Sequence, residues 1–217
     1  MRSKIMDFFW PSLTPPSSTE QDEIKQEELA AQEAIKKVDW TSELSLAMQE
    51  AHRIASEEEG RLKSVESKAT NLLLFIGALI PLLTYLETAT LDAKIITIPI
   101  WPSLALLAIA VVYFVKASLW AFRTINVGNY HRVYSADLVE GWSSKEDVRN
   151  DLVVRTLTAT RLNQETINSK VSSLKMTHAF LLRAIIVLSA LLLLQVLFKA
   201  WGMMKQPLFE AIHSLAC

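Results

Sequence analysis

Three long apolar runs divide the chain. Residues 69–86 carry no charged side chain, and the runs 95–122 and 177–198 contain only one charged side chain each. An α-helix rises about 1.5 Å per residue, so about 20 apolar residues cross a hydrocarbon layer about 30 Å thick. The pattern therefore predicts three transmembrane helices, and we place the first span at 67–87, the second at 95–122 and the third at 176–200.

A helical seam leads into the first run without a break. From Trp40 onward, apolar side chains recur at steps of three and four residues, interrupted only at Glu58. This spacing predicts one long helix that enters the membrane, with Gly60 as its weakest point. The candidate partner-binding side chains at the start of this seam are Trp40, Leu44 and Ile54.

A second seam leads into the third run. Ser143-x-x-Glu146 is a capping box that predicts the start of this helix. Alternating steps of four and three are coiled-coil spacing. The chain is therefore expected to be an all-α membrane protein with three transmembrane helices, two of them continuous with long cytosolic helices that pack as a coiled-coil-like bundle. The second seam consists of Val153, Leu157, Thr160, Gln164, Ile167, Val171, Leu174, His178, Leu181, Ile185, Leu188, Leu192 and Gln195.

The parts outside the spans are predicted to be mostly helical. Thr19 offers an N-cap to a charged helix, and Trp201-Gly202 is expected to end the last helix. We divide these parts into a flexible N-terminus, acidic cytosolic helices, a cytosolic loop with its helix, and a short tail, at 1–19, 20–66, 123–175 and 201–217.

Cations near the ends of the runs predict the orientation. The connection between the first two runs holds only Lys94, and Lys199 and Lys205 after the third run give a smaller counter-signal. We therefore place the N-terminus and the middle region in the cytoplasm and the C-terminus outside. The cations that indicate the cytoplasmic side are Arg53, Arg61, Lys63, Lys68, Lys116, Arg123, Arg132, Arg161, Lys170 and Lys175.

Charge and composition narrow the possible functions. The net charge is −1, but residues 20–60 contain twelve Asp and Glu against four Lys and Arg, which is a net charge of −8. We expect no direct binding of nucleic acid by so acidic a segment. Cys217 is the only cysteine, which excludes an intrachain disulfide, and the four histidines are not spaced as metal ligands. We expect no enzyme activity, and we assign no catalytic, cofactor-binding or metal-binding residue.

Two features inside the spans are candidates for motion or ion passage. Pro81 removes the hydrogen bond to the carbonyl of Gly77, so Gly77 and Pro81 form a candidate kink, although transmembrane helices commonly carry both residue types. Arg183 lies early in the third span and opposite the seam. It is expected to reach back to the headgroups, with the lining of an ion path as the alternative.

Polar residues on the second seam indicate association. Gln195 lies on the seam and far along the third span, where an amide can fix an oligomer or line a pore in one state. Thr160 and Gln164 are polar seam positions before the span, and such residues specify partner number and register. The sequence therefore predicts a homo-oligomer in the active state.

Short motifs add a resemblance to a known group. One motif is Glu66-Ser67-Lys68-Ala69, which precedes an apolar run that contains Gly77. The other consists of Asn163, Asn168, Lys170 and Leu174, which precede the last span. In these motifs the chain resembles small bacterial membrane effectors of anti-phage defence, of the Pycsar, SLATT and retron-associated types. The resemblance covers residues 58–200. It implies an inner-membrane protein that stays inactive until a cytosolic controller signals infection and that then damages the bilayer. The controller would be a system such as a reverse transcriptase with its non-coding RNA or a cyclic-nucleotide system.

Two other classes remain open. A membrane-anchored adaptor would recruit partners through its cytosolic coiled coil and use the spans only as an anchor. A constitutive channel or transporter subunit has weaker support, because three spans without an internal repeat give little basis for one.

Overall fold

The fold is built from helices throughout the part that is described. The computed structural model describes residues 11, 17–91, 100–126, 128, 130–134, 136–137, 139–140 and 147–215, and no strand occurs among them. The helices are α1 (Ser18–Lys37), α2 (Leu44–Leu91), α3 (Ile100–Ile125) and α4 (Val148–Leu215), with a 3₁₀ turn, Thr41–Glu43, before α2. Three of the helices are long and apolar enough to cross a membrane. The predicted all-α class with three candidate spans is thus confirmed.

Helix α1 begins earlier than the sequence predicted. Ser17, not Thr19, is the N-cap, because Ser17 and Glu20 form a complete capping box. The Ser17 hydroxyl accepts a hydrogen bond from the Glu20 amide at 3.3 Å, and the Glu20 carboxylate accepts one from the Ser17 amide at 2.7 Å. Two backbone amides that have no partner within the helix thus both donate hydrogen bonds, and these bonds determine where the helix begins.

The two predicted long helices are present. Helix α2 runs through both Gly60 and Pro81 without interruption, and α4 continues past Trp201-Gly202 to Leu215. The expected end at Trp201-Gly202 was wrong, since one glycine costs a helix only about 1 kcal/mol relative to alanine. The predicted capping box at Ser143 and Glu146 lies outside the described residues.

The chain divides into two compact units. We call Met1–Pro11, Asn71–Phe122 and Lys175–Cys217 the apolar unit, and Ser12–Thr70 with Arg123–Leu174 the polar unit. Helices α2 and α4 each contribute residues to both units.

Small and aromatic residues build the core of the apolar unit. Ala110, Ala117 and Ala184 have no exposed surface, which lets their helices approach closely. The rings of Tyr113 and Phe180 fill the space beside them, with centroids 6.2 Å apart. Large apolar side chains cover the outside of the unit, as suits a surface in contact with lipid. Examples from the three helices are Leu74, Phe75, Ile80, Val115, Leu119, Phe122, Leu182, Ile186, Leu193 and Val196.

Burial along α4 follows one of the two lines of the predicted seam. The line Val153, Thr160, Ile167, Leu174, Leu181 and Leu188 is buried at every position. The second line was expected four residues after each of these, yet His178, Ile185 and Leu192 are exposed. The second buried line instead lies three residues after the first, and its side chains are polar or small at every position except Leu191. That line is Asn163, Lys170, Thr177, Ala184 and Leu191.

The buried residues of the two units differ in chemistry. Among the described residues, six of the twelve buried side chains of the polar unit are polar or charged, whereas in the apolar unit only Ser103 and Thr177 are. Buried polar groups need partners, so the polar unit depends on specific contacts more than the apolar unit does. Its buried polar residues are Glu58, Thr124, Thr160, Asn163, Lys170 and Ser173.

Ala184→Leu should destabilise the apolar unit. Its Cβ is fully buried, so a larger side chain forces neighbouring helices apart, and we expect a loss of about 1–3 kcal/mol. Ala190→Leu is the matched control, because Ala190 is exposed on the same helix. Thermal unfolding in detergent micelles, followed by circular dichroism, measures both. Equal midpoints for the two variants would contradict the assigned packing.

Candidate functional site

A buried lysine joins three segments of the polar unit. Lys170 on α4 has 9% of its side chain exposed, and its ammonium lies 2.6 Å from a carboxylate oxygen of Glu66 on α2. The same ammonium donates a hydrogen bond of 3.0 Å to the carbonyl of Asn126, directly after α3. Charge-assisted bonds of this length are the stronger kind, and they compensate for the removal of Lys170 from water.

An asparagine holds the segment that follows α3. Asn163, 3% exposed, accepts a hydrogen bond from the His131 amide and donates one to the His131 carbonyl, both at 2.8 Å. One side chain thus satisfies both backbone groups of a residue outside regular structure. We call Glu66, Asn126, His131, Asn163 and Lys170 the polar clasp.

The segment also approaches α4 at Gly128. A Cβ added at Gly128 would lie 3.1 Å from the Cγ2 of Thr166, which is tighter than an ordinary contact. Thr166 lies between Asn163 and Lys170, so this close approach belongs to the same surface of α4. A larger residue at this position would require the Thr166 side chain to shift by a few tenths of an ångström.

A second set of charges lies beside the clasp. Arg132 is 3.5 Å from Glu59 and its guanidinium lies 5.1 Å from the ring centroid of Tyr130. The hydrogen bond from Lys63, more than the charge of Arg132, lowers the pKa of Glu59. Partial burial, with a smaller contribution from Glu59, raises the pKa of Tyr130, so the phenol stays neutral. Exposed pairs of this kind contribute little to stability.

Arg155 is the third polar centre of the unit. It lies 2.7 Å from Asp151, 3.2 Å from Asp137 and 3.5 Å from Glu140. The hydrogen bond to Asp151 is the main cause that raises the pKa of Arg155. These contacts attach Asp137 and Glu140 to the first turns of α4.

The predicted kink and span residues lie apart from the clasp. Gly77 and Pro81 are exposed in α2, and a Cβ at Gly77 would meet nothing within 4 Å. Arg183 is half-buried and donates a hydrogen bond of 2.5 Å to the carbonyl of Ala179 in its own helix. Gln195 is half-buried on α4. Their proposed roles in bending, ion passage and association stay predictions.

The other predicted residues find partners close by. The hydroxyl of buried Thr160 donates to the Thr156 carbonyl at 2.8 Å, and Gln164 accepts a hydrogen bond of 2.8 Å from Arg161. The indole of Trp40 donates to the Ile35 carbonyl at 3.1 Å. Leu44 and Ile54, like Trp40, are half-buried.

Residue-by-residue inspection missed most of the clasp. Sequence patterns brought in Glu66 and Asn163 through short motifs and Lys170 also as a cation near the third run, but they predicted no contact among these three residues, Asn126 and His131. The available signal was the spacing of Asn163, Lys170 and Thr177 at seven residues. A search for apolar residues at helical spacing does not detect polar residues that recur every seven positions. Glu58 was interpreted as a break in the first seam, yet it is buried and paired with Arg61 at 2.7 Å.

The clasp links α2, the segment after α3 and α4 within the polar unit. A buried ion pair adds little net stability compared with apolar packing, but removing one partner from it is costly. The clasp therefore favours one arrangement over its alternatives more than it strengthens the fold. Within the described residues, no cluster of three or more His, Cys, Asp and Glu could hold a metal ion.

Lys170→Met should destabilise the polar unit by about 2 kcal/mol. The change removes the ammonium group that donates to the carboxylate of Glu66 and to the carbonyl of Asn126. Breaking a fully buried ion pair costs about 3–5 kcal/mol of stability. We expect a smaller cost here, because about one third of the Glu66 side chain is exposed. The thermal midpoint in detergent should fall by about 4–8 °C.

Lys63→Met is the matched control for this experiment. Lys63 also pairs with a glutamate on α2, but 72% of its side chain is exposed, so we expect a loss of at most about 0.5 kcal/mol. Adding Glu66→Gln to Lys170→Met should recover part of the loss. Equal effects of the two lysine variants would rule out a special role of Lys170.

Gly128→Ala should cost about 1–2 kcal/mol, because Thr166 must move to admit the new methyl group. Adding Thr166→Ser should restore most of the loss, since serine lacks Cγ2 and keeps the hydroxyl. Gly60→Ala is the control: a Cβ there meets nothing within 4 Å, so it should stabilise α2 by about 0.5–1 kcal/mol. Failure of Thr166→Ser to restore the thermal midpoint would refute the steric explanation.

Comparison with known proteins assigns no family to this geometry. No family model, no curated protein and no solved structure matches the chain. The resemblance to anti-phage membrane effectors therefore stays a prediction.

Proposed function

We propose that the chain is a membrane-damaging or pore-forming effector of a bacterial anti-phage system, kept inactive until a cytosolic sensor or partner releases it. The observation that carries the proposal is the polar clasp, because its ion pair and amide contacts can exchange for contacts with a partner or with water. Three helices able to cross a membrane supply the part that acts. The proposed action includes no catalytic step, cofactor or metal.

Release of the clasp is the proposed trigger. A partner that competes for Glu66 or Lys170 separates α2 from the segment after α3. Because α2 and α4 continue from the polar unit into the apolar unit, a shift of either helix changes the packing of the spans. Gly77 and Pro81 are the proposed place where α2 bends, since Pro81 cannot donate a hydrogen bond to the Gly77 carbonyl.

Location and partners follow from the same proposal. The protein lies in the bacterial inner membrane with its N-terminus in the cytoplasm, where the controller binds. The active form is a homo-oligomer, and the exposed apolar side chains of α4 are the proposed contact between copies. Gln195 lies near this surface and either fixes the oligomer or faces a pore.

An adaptor role is the second candidate, and helix α1 is the observation that favours it. None of the 20 residues of α1 is buried, and the helix is acidic. A charged helix with no buried face suits recruitment of a basic partner. In that case the spans act only as an anchor, and membrane conductance separates the two candidates.

Expression of the chain without its controller should depolarise the bacterial membrane and arrest growth. A voltage-sensitive dye and optical density measure both in the same culture. The control is another three-span protein at the same level in the membrane fraction. Normal potential and growth, with the chain fully inserted, would contradict the effector and favour the adaptor.

Gln195→Leu tests the association step of the same proposal. We expect a changed oligomer size in cross-linking and a change of about five- to thirtyfold in the inducer level needed to arrest growth, in line with one lost interhelical hydrogen bond of about 1–2 kcal/mol. Thr88→Leu is the control, because it removes a polar group from an exposed position of α2 and leaves the surface of α4 unchanged. Unchanged cross-linking and growth arrest in Gln195→Leu would exclude a role of this amide.

A further inference from the structure

The three apolar runs contain two charged side chains, and both are cations. These are Lys116 on α3 and Arg183 on α4, and the runs contain no Asp or Glu. Lys116 lies six residues before Phe122, the last residue of its run, and Arg183 lies six residues after Thr177, the first residue of its run. Six helical residues correspond to about 9 Å. All of the charge within the three runs is therefore positive, and it lies inside them rather than at their ends.

The two cations belong to one layer of the apolar unit. Lys116 lies three residues after Tyr113, and Arg183 lies three residues after Phe180. The rings of Tyr113 and Phe180 have centroids 6.2 Å apart, which brings these turns of α3 and α4 side by side. Three residues are less than one helical turn, about 4.5 Å along the axis. Each cation thus lies within one turn of the same ring contact.

A hydrogen bond places the guanidinium of Arg183 in this layer. It donates to the carbonyl of Ala179, four residues earlier in the same helix. Ala179 directly precedes Phe180, so the guanidinium lies close to the level of the ring contact. Charged side chains at membrane depth are costly and commonly pair with backbone carbonyls, and they often mark an ion pathway. The position of Arg183 agrees with both observations.

Both cations lie at the edge of an exposed apolar surface. Lys116 and Arg183 are themselves half-buried. On each helix, the residue directly before the cation and the residue three positions after it are exposed apolar side chains. These neighbours are Val115 and Leu119 on α3 and Leu182 and Ile186 on α4. The exposed side chains of α4 are the proposed contact between copies, so a second copy that packs there would enclose Arg183 and bring further cations to the same layer.

We propose that the pore formed by the oligomer conducts anions, with Lys116 and Arg183 of each copy along its path. The inference rests on the proposed function, because it names the ions that the pore passes. Rings of Arg and Lys side chains are the means by which pores select anions. No carboxylate within the three runs opposes the two cations, so an ion at this depth meets positive charge from every copy.

The size of the preference follows from Coulomb's law. At the dielectric constant of water, one cation about 10 Å from a monovalent ion favours an anion over a cation by about fourfold, so two favour it by more than about tenfold. The low-dielectric walls of a membrane pore strengthen this effect, and dissolved salt weakens it. We therefore expect chloride to permeate at least about tenfold more readily than potassium.

Electrical recording from the purified full chain in planar bilayers tests the proposal. The bilayer consists of phosphatidylcholine, which carries no net charge, and the KCl concentration differs between its two sides. The current of the wild type should reverse near the equilibrium potential of chloride. The reversal potential does not depend on how many pores have inserted, so a variant that inserts poorly can still be compared with the wild type.

Neutral variants measure the contribution of each cation. Lys116→Gln and Arg183→Gln should each lower the ratio of chloride to potassium permeability by about fourfold, and the double variant should bring it close to one. Lys116→Arg and Arg183→Lys keep the charge and should keep the preference. Arg149→Gln is the control for a cation outside the spans. Arg149 is exposed and lies 34 residues before Arg183 in α4, about 51 Å along the helix and far beyond the Debye length of about 10 Å at 0.1 M salt.

The outcomes separate this inference from the proposed function. The absence of current from wild type that has inserted in the bilayer would contradict the proposed function and this inference together. A current without preference for chloride would overturn the inference alone. The inference is also overturned if the double variant keeps the preference, as it would if both side chains reached the headgroups, or if Arg149→Gln lowers the ratio as much as Arg183→Gln does.

Discussion

The ion pair between Lys170 and Glu66 is the interaction on which the polar unit depends. It joins residues 104 positions apart in the sequence, and Lys170 also binds the carbonyl of Asn126. Burying an ammonium group is costly, so the contact persists only while both partners are in place. The surrounding polar residues reduce that cost. One lysine therefore links α2, α4 and the segment after α3.

The two units are stabilised by different physics. Alanines without exposed surface and the ring pair of Tyr113 and Phe180 hold the apolar unit by close packing, which works equally well in lipid. The polar unit has a core that is half polar, and its specificity comes from matched donors and acceptors. A change in solvent, in charge or in a bound partner is therefore expected to alter the contacts of the polar unit more than the packing of the apolar unit. This difference is the physical basis for proposing a released state.

The sequence predicted the elements well and the contacts poorly. Hydropathy and helical periodicity were enough for three candidate spans and for the long continuous helices α2 and α4. The predicted second buried line on α4 was wrong. A hydrophobic pattern selects apolar residues such as Ile185 and Leu192, whereas the residues that are buried include polar Asn163 and Lys170. A bilayer accepts exposed apolar side chains, so apolarity does not mark the inside of a membrane protein. The pairing of Lys170 with Glu66 could not be predicted, because the two residues are 104 positions apart and no sequence pattern relates them.

Hydrogen exchange of the full chain in a membrane mimetic tests the central claim most directly. The comparison is between wild type and Lys170→Met, at the amides of 62–70 in α2 and 163–170 in α4. Loss of about 2 kcal/mol of local protection corresponds to exchange about thirtyfold faster at these amides. The account predicts this increase with unchanged exchange at 110–117 of α3. Equal increases in both units, or none in either, would contradict it.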